Sequence, residues 1–464
     1  AGTRALRLLF EKHSYKDAII FGHALVGNLH FVICHDFSLT KEIEQYRLFM
    51  QALSELVAIE FQGSLKSEHG TGRNMAPFVE LEWGKTAYQL MLQIKNLFDA
   101  DGLMNPGVIL NTDKQVHISD LKMLPVADPL IDKCMECGFC ESICPSRNLS
   151  LTPRQRIVMY RQLQQLGREK QTDRVKSEIK LLTKQFNYLA LETCAATGLC
   201  AEKCPVGINT GDLIRQLRKP VSKVNRSVAD WTARHFGFTT NLVRRLFRLN
   251  YGLQKLFTSK TINAMGASIH QLSNKVLPLW LAEYPTAIKN ARTVSHIAEK
   301  KVVYLPSCAS RSLGTQAKAM DQRSLSDVTI NLLEKAGYQV IITEQIAELC
   351  CGMPYHSQGM SDIAKQKSLQ LEASLWQSSD AGKYPILMDT SPCKKFAAES
   401  FTQQLAIYEP AEFAMKFLID ELLLQPLNET VMLHVTCSSR RMNLSKKLIK
   451  LAQLCSKKVV LADD

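Results

Sequence analysis

Cysteines carry most of the chemistry available to this 464-residue chain. Cys134, Cys137, Cys140 and Cys144 stand in "CMECGFCESICP", with Pro145 behind the last. The spacing C-x2-C-x2-C-x3-C-P is that of bacterial ferredoxins, whose fourth cysteine serves the other cluster of a pair. Three cysteines so closely spaced wrap one corner of a cubane, and thiolate is the soft ligand that iron prefers. Further on, "CAATGLCAEKCP" keeps Cys194, Cys200, Cys204 and Pro205 in register, but Thr197 stands where a match to Cys137 belongs. The spacing therefore assigns Cys134, Cys137, Cys140 and Cys204 to one 4Fe-4S cluster. Cys144, Cys194 and Cys200 face a second site, one thiolate short. A three-iron cluster, a four-iron cluster with water or a Thr oxygen at one corner, and an empty site are all open. Structural zinc competes less well, because zinc sites use separated CxxC pairs.

A third group is spread more widely. Cys308 in "PSC" precedes the Cys350-Cys351 pair of "CCG" by 42 residues, and Cys393 in "SPCKK" follows that pair by another 42. Adjacent cysteines bridge or bind separate irons more readily than they chelate one. Buried structural cysteines are the alternative. Cys437, in "ETVMLHVTC", restarts the pattern of "KKVVYLPSC".

Histidines offer a different chemistry near the N-terminus. If Val26-Gly27 is a two-residue turn, His23 lies directly opposite His30 on one hairpin face, with Cβ atoms about 5 Å apart. Two imidazoles so placed can share one metal ion. Glu68-His69, in the glycine-rich "GSLKSEHGTGR", can add a carboxylate ligand and a base. Satisfied structural histidines are the competing reading.

Positioning these groups requires several domains. Residues 17–34 read as two apolar strands, and "TKEIEQYRLFMQALSELVAIEF" and "EWGKTAYQLMLQIKNLFD" as helices. This predicts an α+β domain over 1–112 and a linker over 113–130. A helical ferredoxin-type iron–sulfur domain spans 131–219 and a basic helical segment 220–297. From residue 298 to 464, β-branched strands ending near cysteines alternate with helices, which predicts an α/β cysteine-rich domain with a second, truncated repeat. The expected fold class is thus multidomain α+β and α/β.

Bulk composition narrows the class. Hydrophobic residues make up 46% of the chain, as in packed globular proteins. No apolar run approaches the roughly 18 residues that span a bilayer. The charged N-terminal stretch is no signal peptide. Fourteen cysteines without an export signal predict a cytoplasmic protein using them as ligands. The absence of an initiator Met predicts a fragment. Net charge is +13, and Leu213–Lys300 holds 15 Lys and Arg against 3 Asp and Glu. A solvated helical face explains this; docking at the inner face of a membrane or on an acidic partner is the sharper reading. Nucleic-acid binding is disfavoured, since few aromatics interleave with the charges.

"GHALVGNLHF", "GSLKSEHGTGR" and "FDADGLMNPGVIL" together resemble the C-terminal substrate domain of FAD-linked oxidases of the D-lactate and D-2-hydroxyglutarate dehydrogenase type. The order of these motifs, ferredoxin runs and a CCG segment is similar to that of iron–sulfur fusion flavoproteins of this family. The resemblance implies a D-2-hydroxyacid dehydrogenase, with D-2-hydroxyglutarate first and D-lactate second as substrate. A bare electron-transfer module is the rival. The resemblance further implies FAD bound mainly by a half preceding Ala1, and hence an isolated chain without activity. It makes His23, His30 and Glu68 ligands of zinc or a similar divalent ion and His69 the general base. Gly70, Gly72 and Asn105 become cofactor-lining residues. Val26 replaces the acidic residue that relatives carry in the first loop. The CCG segment resembles domains that close with CxxC, but Phe396 stands in the last position. A quinone or redox protein as electron acceptor and a homo-oligomeric assembly complete the expectation.

Overall fold

The computed structural model describes all residues except 67, 123, 219–222, 274–276, 278, 289–296, 317, 318, 320 and 463–464. The expected boundary at 219 and 220 lies outside the described residues, as does most of the end of the basic segment. The chain forms two compact units, one of residues 1–135 and 160–179 and the other of 136–159 and 180–464.

In the first unit, helix α1 (Gly2–Lys12) precedes strands β1 (Ile19–His23) and β2 (Asn28–Val32), then helices α2 (Thr40–Glu55) and α3 (Val79–Phe98). The charged sequence over residues 2–12 carries no expectation of α1. Its Leu6, Leu9 and Phe10 share one face and pack with Tyr15, Phe49, Met50 and Leu53, so tertiary burial explains a helix in a charged segment. The hairpin register differs from the expected one. His23 pairs with Asn28 and His30 with Phe21, because Ala24–Val26 form a turn of 3-10 helix ahead of Gly27. A two-residue slip preserves the face of every side chain. His23 and His30 therefore meet diagonally instead of directly, with ring centroids 5.6 Å apart.

Helices α4 (Pro153–Arg168) and α5 (Asp173–Phe186) lie along the chain between the two ferredoxin-like runs. The second unit continues with α6 (Cys200–Lys203), α7 (Thr210–Arg218), α8 (Lys223–Arg234), α9 (Phe236–Leu256) and α10 (Ser259–Leu272). An α/β layer follows: β3 (Lys300–Leu305), α11 (Cys308–Ser312), α12 (Leu325–Lys335), β4 (Tyr338–Ile341), α13 (Met353–Ser357), α14 (Ser361–Ser378), β5 (Ile386–Met388), α15 (Ser391–Ser400) and β6 (Ile407–Tyr408). These strands form a parallel sheet in the order β4-β3-β5-β6. Central β3 buries Val302, Val303, Tyr304 and Leu305, as expected of a strand covered on both faces. The strand order reverses between β3 and β5, and the crevice beyond their carboxyl ends is where such sheets place ligands.

After α16 (Pro410–Phe413), a second parallel pair joins β7 (Leu427–Leu433) to β8 (Ser456–Leu461), with α17 (Cys437–Arg441) and α18 (Ser445–Cys455) between them. The restart read from sequence is visible in the caps. Ser307 caps α11 by accepting from the Ser310 N–H, and Thr436 caps α17 by accepting from the Ser439 N–H. A cysteine begins each helix.

Candidate functional site

The hairpin in the first unit brings His23, His30 and Glu68 together. One ligand atom from each lies within 4.8 Å of the others, the only such group of three or more His, Cys, Asp or Glu among the described residues. Glu68 Oε1 stands 2.9 Å from His30 Nε2 and 3.6 Å from His23 Nε2. His30 Nε2 is buried but has no hydrogen-bond partner. Two imidazoles and a carboxylate oxygen converging in this way are a donor set that fits a divalent cation. His69 Nε2 approaches the same Glu68 oxygen at 3.2 Å while its ring stays exposed, so it faces this group and solvent at once.

Gly72 has a φ of +63°, which a side chain would strain, and its carbonyl accepts the Ile109 N–H at 3.1 Å. That bond ties the glycine loop to the segment after Asn105, whose own φ is +44°. Nothing lies within 4 Å of where a Cβ would sit on Gly70 or Gly72, leaving room beside the loop. Val26 is exposed and adds no charge.

Of the ferredoxin-like cysteines, Cys134 belongs to the first unit, where Arg161 donates to its carbonyl at 3.0 Å. Cys137, Cys140, Cys144, Cys194, Cys200 and Cys204 belong to the second. There the two runs are stitched together: Ser146 Oγ donates to the Thr193 carbonyl at 2.7 Å, and Ser150 Oγ to the Thr193 hydroxyl at 2.6 Å. Cys144, Cys194, Thr197 and Cys200 line one small cavity with Arg156. Burial pushes the Cys200 thiol up, against the pull of bonds from Thr210 and Gly211. Arg218 holds the Cys194 carbonyl at 2.7 Å, and Arg215 the Ala196 carbonyl at 2.8 Å.

Sequence reasoning missed Arg156. It is 1% exposed, with Nη1 3.7 Å from Cys144 Sγ. Its place inside a polar helix start gave no signal, because a charged residue in "TPRQR" reads as solvated.

The widely spaced cysteines also converge. Cys308, Cys350, Cys351 and Cys393 line a single cavity at the carboxyl ends of β3 and β5, together with Arg311 and Asp389. Cys308 opens α11 and Cys393 lies in the first turn of α15. A hydrogen bond with Cys350, and burial, push the Cys308 thiol up. The Cys350 thiol is lowered by Cys308 but raised more by Cys351 and burial, to about 11. Arg311 Nη2 donates to the Leu349 carbonyl at 2.7 Å, while its buried Nη1 has no partner. Cys437 does not line this cavity, and Phe396 packs against the His356 ring. Among the described residues no cysteine is in a disulfide.

Comparison with known proteins assigns the first two regions. Residues 2–109 match the family described as FAD linked oxidases, C-terminal domain, and residues 130–208 match the 4Fe-4S dicluster domain. The chain thus carries a segment similar to the FAD-linked oxidase C-terminal domain, followed by one similar to the 4Fe-4S dicluster domain. FAD-linked oxidation and 4Fe-4S binding are what the descriptions of these two families name. The oxidase domain is 34% identical to glycolate oxidase subunit GlcD of Bacillus subtilis, over 21% of each chain. A D-2-hydroxyglutarate dehydrogenase of Haemophilus influenzae is 28% identical over 44% of this chain and 24% of its own length. The glycolate oxidase iron-sulfur subunit of Escherichia coli is 22% identical over 59% of each chain. The chain thus spans between 21% and 59% of the length of these relatives. No solved structure is a significant match. Among the described residues no helix is long and apolar enough to cross a membrane.

Proposed function

We propose that the chain works in oxidation of a D-2-hydroxy acid, D-2-hydroxyglutarate in the first instance. Electrons leave the flavin for the iron–sulfur sites and reach an acceptor near the four-cysteine cavity. The observation that carries this reading is the histidine–carboxylate group beside an exposed imidazole, in a chain that also holds two cysteine runs. One similar relative, named a D-2-hydroxyglutarate dehydrogenase, covers more of this chain than the oxidase domain alone.

His23, His30 and Glu68 would hold a divalent ion of the zinc type. When bound, that ion would supply positive charge against the hydroxyl and carboxylate of the substrate, beside a flavin whose chemistry is to take up hydride. His69, as a neutral imidazole within reach of the same position, takes the hydroxyl proton. Its exposure gives the proton a path to solvent. Steady-state assay of the flavin-loaded enzyme with D-2-hydroxyglutarate and D-lactate tests the choice. A markedly higher kcat/KM for D-2-hydroxyglutarate is expected; equal values would defeat it.

The basic segment supports an anionic bilayer as the docking surface. From Trp231 to Ala282 the sequence has no Asp or Glu. Along α9, Phe238, Leu242, Leu246 and Leu249 recur at helical spacing and are exposed; Met265, Ile269 and Leu272 do the same on α10. Apolar stripes on an acid-free, arginine-bearing pair of helices suit a negatively charged leaflet. Sedimentation with phosphatidylglycerol vesicles should carry the protein down, with phosphatidylcholine vesicles much less. Replacing Leu242 and Leu246 by Glu should abolish the difference. Failure of wild-type protein to sediment with the anionic vesicles would remove this surface from the reading.

A further inference from the structure

A dicluster domain implies two four-iron clusters, and the donors around the second cavity do not fit that. Resting on the iron–sulfur reading above, we infer that the site formed by Cys144, Cys194 and Cys200 holds a three-iron cluster.

Donor chemistry comes first. The cavity lining contains three thiols and no carboxylate or imidazole. The hydroxyls nearby already take part in hydrogen bonds. Ser146 bonds the Thr193 carbonyl, Thr210 bonds the Cys200 sulfur, and Thr197 Oγ1 accepts the Leu199 N–H at 3.4 Å. In a three-iron cluster each iron has one protein thiolate. A fourth iron here would depend on an alcohol or water, both harder and weaker ligands for iron than thiolate.

Backbone geometry also constrains the loop that carries Thr197. Arg441 donates to the Thr197 carbonyl at 3.3 Å. Gly198 sits at φ +77°, and a Cβ there would come within 2.3 Å of Arg441 Nη1. The loop is thus packed against that guanidinium on the side of Thr197 and Gly198.

Two further observations argue for a polynuclear anion. Among the described residues the tight three-ligand group fit for a single ion is that of His23, His30 and Glu68; Cys144, Cys194 and Cys200 are not part of one. Arg156, almost fully buried, presents Nη1 to Cys144 and leaves Nε without a partner. A charge buried so deeply needs a counter-charge, and a thiolate-bound cluster provides one.

The experiment uses chain reconstituted anaerobically with ferrous iron and sulfide, examined by electron paramagnetic resonance, iron quantitation and Mössbauer spectroscopy. Wild-type protein should show a three-iron signal when oxidised and a four-iron signal when reduced. The oxidised signal should persist after incubation with excess ferrous iron and reductant. Thr197→Cys, nearly isosteric, should lose the oxidised signal, gain a second four-iron signal and bind more iron per chain. Cys194→Ser should lose the oxidised signal and keep the four-iron one. Two four-iron signals in wild type, or conversion of its oxidised signal by added iron, would overturn the three-iron assignment alone. Protein that folds but takes up no iron would overturn the cluster reading beneath it as well.

Discussion

The histidine site and the second cysteine site solve opposite electrostatic problems. At the hairpin, Glu68 brings one negative charge to two imidazoles, and its side chain and that of His23 are substantially exposed. The ligand atoms converge tightly, as one small ion requires. Cys144, Cys194 and Cys200 line one small cavity, and Arg156 and Arg218 bring positive charge beside Cys144 and Cys194. The difference teaches that the donor set and the sign of the surrounding charge separate a site for a single divalent ion from one for a cluster. An exchangeable ion suits the first site, where substrate and solvent must enter. A permanent, insulated group suits the second.

The strongest way to break this comparison is to remove the first site and watch the second. His23→Ala with His30→Ala should abolish zinc binding and reduce kcat of the flavin-loaded enzyme by about 10^3-fold or more, given the share of a rate that one metal supplies. The visible iron–sulfur absorbance should not change. Loss of both together would mean that the two sites are not independent.

A smaller effect sharpens the second half. Arg156→Met should weaken cluster-loaded protein but leave iron-free protein unchanged or more stable, by about 1–4 kcal/mol at most, because an uncompensated buried charge is then gone. Urea midpoints with and without iron would show the opposite signs. Destabilisation of equal size in both states would make Arg156 a packing residue.

The smallest effect concerns the first unit's other histidines. Burial, then Lys12, lowers the pKa of His13; burial lowers that of His35; burial, then Arg47, lowers that of His117. Each folded-state pKa lies below the unfolded one, so each contributes stability at neutral pH that is lost as pH falls through the imidazole range. Hydrogen exchange on iron-free protein should show the first unit loosening on mild acidification. His117→Gln should flatten that dependence; an unchanged profile would sink the assignment.

Much of this was legible because cysteine spacing is short-range. Three ligands within seven residues declare themselves, and so does the Thr197 departure. The hairpin was legible as two strands with histidines on one face, but its register was not. Whether Ala24–Val26 would spend a 3-10 turn before Gly27 depends on packing that alternation does not encode. The four-cysteine cavity was readable only as a list of motifs; the parallel register of β3 and β5 brings Cys308 and Cys393 to one crevice. Arg156, Arg311 and Arg441 were invisible, because burying a guanidinium is decided by tertiary partners and leaves no periodic trace.

Arg441 adds a matter of timing. It lies 244 residues beyond the threonine whose carbonyl it grips. At the usual pace of translation that interval is roughly 10–50 seconds. The loop leaves the ribosome long before Arg441 is made, so a nascent chain holds its second cysteine run for that interval without the bond that later fixes the Thr197 carbonyl.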